Sequence, residues 1–214
     1  MLFKDFLDHL PKISKSDLPG RESHAELAPV QRLEELKNLN IESRKPRWAG
    51  VVALFYPETN GQTTLMLIHR KTYKGVHSNQ VGFPGGKTEP EDKDLQATAV
   101  RECEEEVGVP RERINIVKKM TPLYIPPSNF WVQSFLGYLD KKPSFIKEDA
   151  EVEALIPVPL KQFLDPKNRI TKRITTSYAV NIEVPAYNLQ GFTVWGATAM
   201  MLAEIQQLLN TSII

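Results

Sequence analysis

Four glutamates fall within five residues near the middle of the chain: Glu102, Glu104, Glu105 and Glu106. At the helical spacing of about 100° per residue, Glu102 and Glu106 share one side, Glu105 joins them, and Glu104 points away. Like charges at this spacing cost roughly 0.2–0.5 kcal/mol per pair unless a cation neutralises them. Because Mg²⁺ prefers carboxylate oxygens, the three clustered carboxylates predict a site for a divalent cation. The alternative is a solvated acidic helix face.

Arg101 and a pair of glycines stand where they can organise these carboxylates. Arg101 lies four residues before Glu105, a helical spacing at which the two can form an ion pair. Gly85 and Gly86 precede the helix, and glycine lets the backbone turn sharply and approach a ligand or a metal closely. A glycine turn that leads into the helix therefore brings backbone and carboxylates together.

The elements that must position these residues follow from the spacing of apolar residues. Five segments have helical spacing: 1–10 (ended by Pro11), 30–40, 95–107, 160–164 and 195–210. Six segments are rich in β-branched and aromatic residues and predict strands: 45–57, 63–70, 114–125, 129–139, 151–160 and 177–187. The polar segment 13–29 predicts a loop, and Asp92 or Asp94 is the expected N-cap of the central helix, which Gly108 ends. Strands before, between and after two long helices predict an α+β fold or an α/β/α sandwich with a mixed sheet.

Length and composition limit the classes of protein. The 214 residues suffice for one core with appendages, and residues 1–45 are expected to be an extension packed on a domain. With 27 basic and 26 acidic side chains the net charge is +1, which argues against a nucleic-acid or polybasic membrane surface. The single cysteine, Cys103, excludes an internal disulfide framework and a cysteine-only zinc site. No run approaches the roughly 18 apolar residues of a membrane span. The N-terminus is typical of a helix rather than a signal peptide, so a cytoplasmic location is expected.

The segment from Gly86 to Val109 resembles the Nudix box, the motif of the Nudix hydrolases. That motif runs G, five residues, E, seven residues, and then R-E-U-x-E-E-x-G-U, in which U is aliphatic. Residues 101–109 of this chain are RECEEEVGV, with Cys103 at an aliphatic position where a free cysteine packs as a small hydrophobe. In the first half Asp92 takes the acidic position, and eight residues rather than seven separate it from the arginine.

The resemblance implies a single Nudix hydrolase domain over residues 1–214, with the box at about 86–109. It implies an α/β/α sandwich in which carboxylates hold Mg²⁺ or Mn²⁺ against a diphosphate that water splits. The implied catalytic residues are Arg101, Glu102 and Glu105, and the implied metal ligands are Gly86, Glu102, Glu105 and Glu106. In some relatives the general base is a glutamate on a later loop, for which Glu151 and Glu153 are the candidates here. The alternative interpretation of Glu151 and Glu153 is that both are solvated charges on a loop, without a catalytic role.

The stretch just before the box resembles the element that marks the coenzyme A pyrophosphatase branch of this family. The residues that fit that element are Leu67, Arg70 and Phe83-Pro84-Gly85-Gly86, and those that depart from it are Lys71, Gly75 and Asn79. The branch implies hydrolysis of coenzyme A or acyl-coenzyme A to 3′,5′-ADP and (acyl-)phosphopantetheine. The donors expected to bind the substrate phosphates are Arg70, Lys71, Lys74 and His77. The alternative for this segment is a basic surface loop.

Two other functions stay open. The substrate can instead be ADP-ribose, another nucleotide sugar or a dinucleotide. The chain can also be a non-catalytic Nudix-fold ligand sensor, which the presence of all four box residues, Arg101, Glu102, Glu105 and Glu106, disfavours. The expected partner in every case is a small nucleotide, without nucleic acid or membrane. The oligomeric state, including a homodimer, is left open.

Overall fold

The chain folds as a mixed β-sheet with helices on both sides, and the computed structural model describes residues 1–72, 79–175 and 181–213. Its helices are α1 (Phe3–Lys15), α2 (Arg21–Glu26), α3 (Val30–Asn38), α4 (Leu95–Val107), α5 (Leu160–Leu164) and α6 (Gly196–Ile213). Its strands are β1 (Arg47–Pro57), β2 (Thr63–Arg70), β3 (Val81–Gly82), β4 (Gly85–Lys87), β5 (Asn115–Lys119), β6 (Leu123–Ile125), β7 (Phe130–Tyr138), β8 (Val152–Pro159), β9 (Arg169–Ile174), β10 (Ile182–Leu189) and β11 (Phe192–Trp195).

β1 lies at the centre of the larger sheet. It runs parallel to β7 and antiparallel to β2 and β4. The strands β5 and β6 pair with β7, and β3 and β8 pair with β2. A smaller antiparallel sheet has the order β11-β10-β9. One parallel pair among antiparallel ones makes the larger sheet mixed, as the order of elements predicts.

The two faces of β1 bury different side chains, because successive residues of a strand point to opposite sides. Val51 and Ala53 pack into a core that includes residues of α1 and α6. Val52 and Leu54 pack into a second core that includes residues of α4. Helices therefore cover both faces of the sheet, and the predicted α/β/α sandwich is confirmed.

The first helix continues beyond the residue at which the sequence predicts its end. Pro11 lies inside α1, although a proline within a helix removes a hydrogen bond and costs about 3 kcal/mol. Ile13, which follows Pro11, is completely buried, and burial of such a side chain contributes roughly 1.5–3 kcal/mol. Because this packing offsets most of the cost, the prediction that Pro11 ends the helix is wrong.

Some elements were not predicted because distant contacts form them. Segment 13–29, for which a loop is predicted, contains α2, whose buried His24 contacts Glu204 of α6 at 3.2 Å. The strands β9 and β11 were not predicted either, and both depend on pairing with β10. The strand predicted over 177–187 begins, within the described residues, at Ile182.

The N-terminal helices lie on the side of the sheet opposite α4, where α1 and α2 both contact α6. The extension boundary at residue 45 and the organisation of the chain as one domain stay predictions. Across the described residues, none of the helices combines the length and the apolar character needed to cross a membrane.

Candidate active site

Helix α4 is fixed at both ends and along its buried face. At its start the Asp94 carboxylate accepts a hydrogen bond from Ala97 N at 2.7 Å, and at its end Gly108 takes the left-handed φ of 70°. Gly50 of β1 faces the helix so closely that a Cβ there would lie 2.4 Å from Leu95 O. A glycine at this position lets α4 pack directly on the sheet, which fixes the position of the carboxylates that α4 carries.

Arg101 donates hydrogen bonds to three carboxylates. Its Nε and Nη2 each donate to one oxygen of Asp92 at 2.9 Å. Its Nη1 donates to Glu105 at 3.0 Å and to Glu102 at 3.2 Å. The predicted contact with Glu105 is present, and the bidentate contact with Asp92 shows that the longer spacing in the first half of the motif still brings these two side chains together. The Arg101 guanidinium holds the pKa of Asp92 well below its usual range.

Replacing Asp92 by asparagine is expected to destabilise the protein by about 2 kcal/mol at pH 7. The amide accepts hydrogen bonds only through its oxygen, and its NH₂ group faces the guanidinium of Arg101, which is only 11% exposed. Because the folded-state pKa of Asp92 is depressed, the wild type has this stability above the ordinary pKa of 3.8 and loses it as the pH falls below that value. Urea unfolding at pH 7 and pH 3 measures the difference between the two proteins. A difference that does not shrink at pH 3 would contradict the ion pair.

Glu102 lies against the glycine turn. A Cβ added at Gly86 would be 2.3 Å from Glu102 Oε2, so a glycine is needed for the carboxylate to take this position. The side chain is 13% exposed. Burial raises its pKa, Arg101 opposes the rise, and the negative charges of Glu105 and Glu151 add to it. The surroundings thus neutralise the Glu102 charge only in part, which favours a cation beside it.

Glu106 is the buried member of the cluster. Its Oε1 accepts a hydrogen bond from Arg70 Nη1 at 2.7 Å, and its Oε2 accepts one from Gly85 N at 2.8 Å. Arg70 Nη2 donates to Gly85 O at 2.6 Å. Burial raises the pKa of Glu106 to about 7, against the opposing charge of Arg70. Arg70 therefore joins the end of β2 to the glycine turn and to α4.

The wild type is expected to lose stability, relative to Glu106→Gln, as the pH rises from about 4.5 to about 7. In this range the folded protein keeps the Glu106 proton while the unfolded chain releases it, so the unfolded state binds fewer protons and stability falls with pH. The full change is on the order of 3 kcal/mol. Urea unfolding of both proteins at pH 5, 6, 7 and 8 measures it. A difference in free energy of unfolding that is constant across these pH values would show that Glu106 titrates normally.

The oxygen donors around Gly86 fit a hard divalent cation. Within the described residues, no three His, Cys, Asp or Glu side chains converge as a ready metal site. Each Glu106 oxygen accepts one hydrogen bond, however, and a carboxylate oxygen has two acceptor directions. Carboxylates and a backbone carbonyl are the ligands that Mg²⁺ and Mn²⁺ select. Gly86, Glu102, Glu105 and Glu106 therefore stay proposed ligands.

A cavity of about 820 Å³ opens beside the glycine turn, on the face of β1 opposite α4. Gly85 and Gly86 line this cavity and also contact the carboxylates of Glu106 and Glu102, so the turn links the cavity to the cluster. Its apolar walls include Phe83, Ile125, Phe130, Trp195, Met200 and Met201. Its cationic side chains are Arg32, Arg44, Arg70 and Lys87. The volume is within the range of small-molecule sites, and the cations suit an anionic ligand.

The structure brings part of the predicted substrate-binding set to this cavity. Arg70 lines it. Lys71 does not, and its backbone N donates to Glu151 O at 2.9 Å. Lys74 and His77 lie outside the described residues. Of the four predicted phosphate-binding residues, the structure therefore describes only Arg70 and Lys71, and of these two only Arg70 lines the cavity.

The two candidate bases differ in their relation to the cluster. Glu151 lies close enough for its charge to raise the pKa of Glu102. Glu153 is exposed, and its charge is not among the largest influences on the pKa of Glu102. The structure therefore favours Glu151 over Glu153 as an alternative to Glu105, and the role itself stays a proposal.

Several cavity residues had no recognisable signal in the sequence. Arg44 comes from the segment before β1, and Met200 and Met201 come from the start of α6, more than 150 residues later. Only the packing of α6 across the sheet brings them together. Lys87, which directly follows Gly86, could have been identified from its position beside the motif.

Comparison with known proteins agrees with this geometry. The NUDIX domain family model matches residues 46–178. The chain is 31% identical over 163 residues to "Nudix hydrolase 15, mitochondrial" of Arabidopsis thaliana, which covers 74% of this chain and 57% of that protein. It is 32% identical over 146 residues to "Uncharacterized Nudix hydrolase NudL" of Yersinia pestis (strain Pestoides F), which covers 68% of this chain and 72% of that protein.

A solved structure shows the same fold. The crystal structure of the Nudix hydrolase RenU from M. smegmatis superposes with a TM-score of 0.55 at 15% identity and covers 78% of this chain and 87% of that one. The match to residues 46–178 spans more than half of the chain and contains the glycine turn and all of α4. The chain belongs to the Nudix hydrolase family.

Proposed function

We propose that the chain is a diphosphatase dependent on Mg²⁺ or Mn²⁺, and that its substrate is coenzyme A or an acyl-coenzyme A. The products would be 3′,5′-ADP and (acyl-)phosphopantetheine. The observation that supports this most strongly is the Glu102 carboxylate, set against Gly86 at the edge of a cavity with cationic side chains. A diphosphate at this edge would meet the cationic side chains of the cavity on one side and the carboxylate cluster on the other.

The proposed reaction is a hydrolysis. The oxygen of water forms a bond to one phosphorus, the bridging P–O bond breaks, and the bridging oxygen leaves with the other phosphate. The bound metal ion would neutralise charge on the diphosphate and make water easier to deprotonate. Gly86, Glu102, Glu105 and Glu106 would hold this ion.

The chain's own side chains hold and move the proton in this proposal. Arg101 positions Glu102 and Glu105 through its Nη1. Glu105 is 53% exposed, so its carboxylate can reach water and accept the proton. Glu151 is the alternative acceptor, because its charge acts on Glu102.

Coenzyme A is the first candidate because its several phosphates match the cationic lining. ADP-ribose or another nucleotide sugar is the second, and the position of Lys71 away from the cavity favours it. A non-catalytic sensor is disfavoured, because Arg101 still connects Glu102 and Glu105 in one network. A cytoplasmic location and a small nucleotide substrate, without nucleic acid or membrane, are further parts of the proposal.

Product analysis by mass spectrometry tests the substrate. Coenzyme A, acetyl-coenzyme A, ADP-ribose and NADH would be incubated separately with the protein and Mg²⁺. Release of 3′,5′-ADP at a kcat/KM well above that for ADP-ribose and NADH is expected. Preference for ADP-ribose or NADH would keep the diphosphatase and reject coenzyme A. No turnover of any of the four, with the metal bound, would favour either a substrate outside this set or the sensor.

A further inference from the structure

Arg44 is a cationic side chain of the cavity that has no partner within the described residues. Arg70, in the same lining, is 2.7 Å from Glu106, and Arg32 lies 3.5 Å from Glu35. Arg44 lines the cavity too, yet its guanidinium forms no ion pair or hydrogen bond in the part of the chain that the structure describes. A guanidinium is charged at every physiological pH and offers five donors. An unpaired one at a cavity surface is suited to an anionic ligand.

The backbone that carries Arg44 is held in place. Asn129, in the turn between β6 and β7, donates from Nδ2 to Arg44 O at 2.8 Å. Its own carbonyl accepts a hydrogen bond from Arg47 N at 3.1 Å. Between these two anchors Lys45 takes the left-handed φ of 48°, which turns the chain into β1. The backbone at Arg44 is therefore fixed before a ligand binds, so binding has to order the side chain but not the backbone.

Arg44 is separated from the glycine turn along β1. Gly86 pairs with Gly50, three residues along the strand from Arg47. At about 3.3 Å per residue the turn lies about 10 Å from the start of β1, beyond which Arg44 stands. A ligand with a diphosphate at the turn and a second anionic group further along the cavity matches both positions. Arginine binds phosphate through two parallel hydrogen bonds, which suits a terminal phosphate.

We propose that Arg44 binds a phosphomonoester of the substrate that is separate from the scissile diphosphate, and that it thereby selects substrates that carry one. This inference rests on the proposed function, because it assumes that the diphosphate lies at the glycine turn. It adds a specificity-determining residue from the segment before the family match, which begins at residue 46. Nucleotides that have only the diphosphate would lack this contact.

The kinetic test compares coenzyme A with 3′-dephospho-coenzyme A, which differs only by the phosphomonoester. The wild type is expected to prefer coenzyme A, and Arg44→Ala is expected to reduce the ratio of the two kcat/KM values about 10- to 100-fold. Arg44→Lys should restore part of the ratio. Arg21→Ala, which removes an exposed arginine of α2 outside the cavity, should leave the ratio at its wild-type value. A ratio that Arg44→Ala does not change would overturn the proposal.

A binding test separates failure of this proposal from failure of the proposed function. Isothermal titration calorimetry with 3′,5′-ADP and with 5′-AMP needs no turnover, because neither ligand contains a diphosphate. Arg44→Ala should weaken binding of 3′,5′-ADP about 10- to 100-fold more than binding of 5′-AMP. If Arg44→Ala weakened binding of both ligands equally, or weakened binding of neither, Arg44 would be rejected as the phosphomonoester site even if coenzyme A is hydrolysed. Selective weakening would support Arg44 even if coenzyme A is not hydrolysed.

Discussion

Glu102→Gln is expected to lower kcat for diphosphate hydrolysis by about 10²- to 10⁴-fold without loss of the fold. The variant keeps the size of the side chain and removes its charge, so the proposed metal ion loses a ligand that would contribute several kcal/mol to the transition state. The melting temperature should stay the same or rise slightly, because burial already disfavours the charged form of Glu102. Steady-state kinetics and thermal unfolding measure the two effects.

Glu104 provides the matched control on the same helix. As predicted, it points away from the cluster, and it forms an ion pair with Arg111 at 2.5 Å. Glu104→Gln removes the same charge from α4 and should change kcat less than twofold, because Glu104 lies outside the carboxylate cluster. Loss of its partly exposed ion pair with Arg111 should cost at most about 1 kcal/mol of stability, so the variant should stay folded. If Glu104→Gln and Glu102→Gln lowered kcat equally, the loss would come from the helix charge as a whole, and the role of Glu102 would be wrong.

Gly86→Ala is expected to lower kcat by about 10²-fold, because the new Cβ takes the space of the Glu102 carboxylate. The atoms it would meet are the end of a flexible side chain, so the carboxylate can move aside while the backbone stays. The fold should therefore be kept, while the position of the Glu102 carboxylate should be lost. Circular dichroism, the melting temperature and kcat together distinguish this result from unfolding.

A double-mutant cycle tests whether the effect of Gly86→Ala passes through Glu102. Glu102→Asp shortens the side chain and makes room for the Cβ, so the double variant should be more active than the product of the two single effects predicts. Independent, multiplicative losses would mean that the alanine acts elsewhere, for example on the backbone conformation of β4.

The local part of the site could be predicted from the sequence. Helical periodicity predicted the extent of α4, and the four-residue spacing predicted the contact between Arg101 and Glu105. The capping rules predicted Gly108 at the end of α4 and left Asp92 or Asp94 at its start, where the structure has Asp94. All of these depend on residues within a few turns of one helix. The resemblance to the box gave Asp92 the acidic position, but its contact with Arg101 was not predicted and is seen only in the structure.

The part that depends on distant contacts could not be predicted. Arg70 was expected to bind substrate, but in the structure its guanidinium holds Glu106, which lies on a different element 36 residues later. No helical or strand periodicity encodes such a contact. The position of Arg44 at the cavity likewise depends on a distant contact, the hydrogen bond from Asn129 to the Arg44 carbonyl.

Metal-dependent hydrolysis of a diphosphate is tested most directly by incubating the protein with coenzyme A in H₂¹⁸O and identifying the products by mass spectrometry. The incubation is carried out with Mg²⁺, with a chelator, and after Mg²⁺ is restored. We expect 3′,5′-ADP and phosphopantetheine, with one ¹⁸O in one product of each cleavage. We also expect that turnover stops with the chelator and returns with the metal. Turnover that continues unchanged with the chelator would contradict the metal-binding role of the α4 carboxylates.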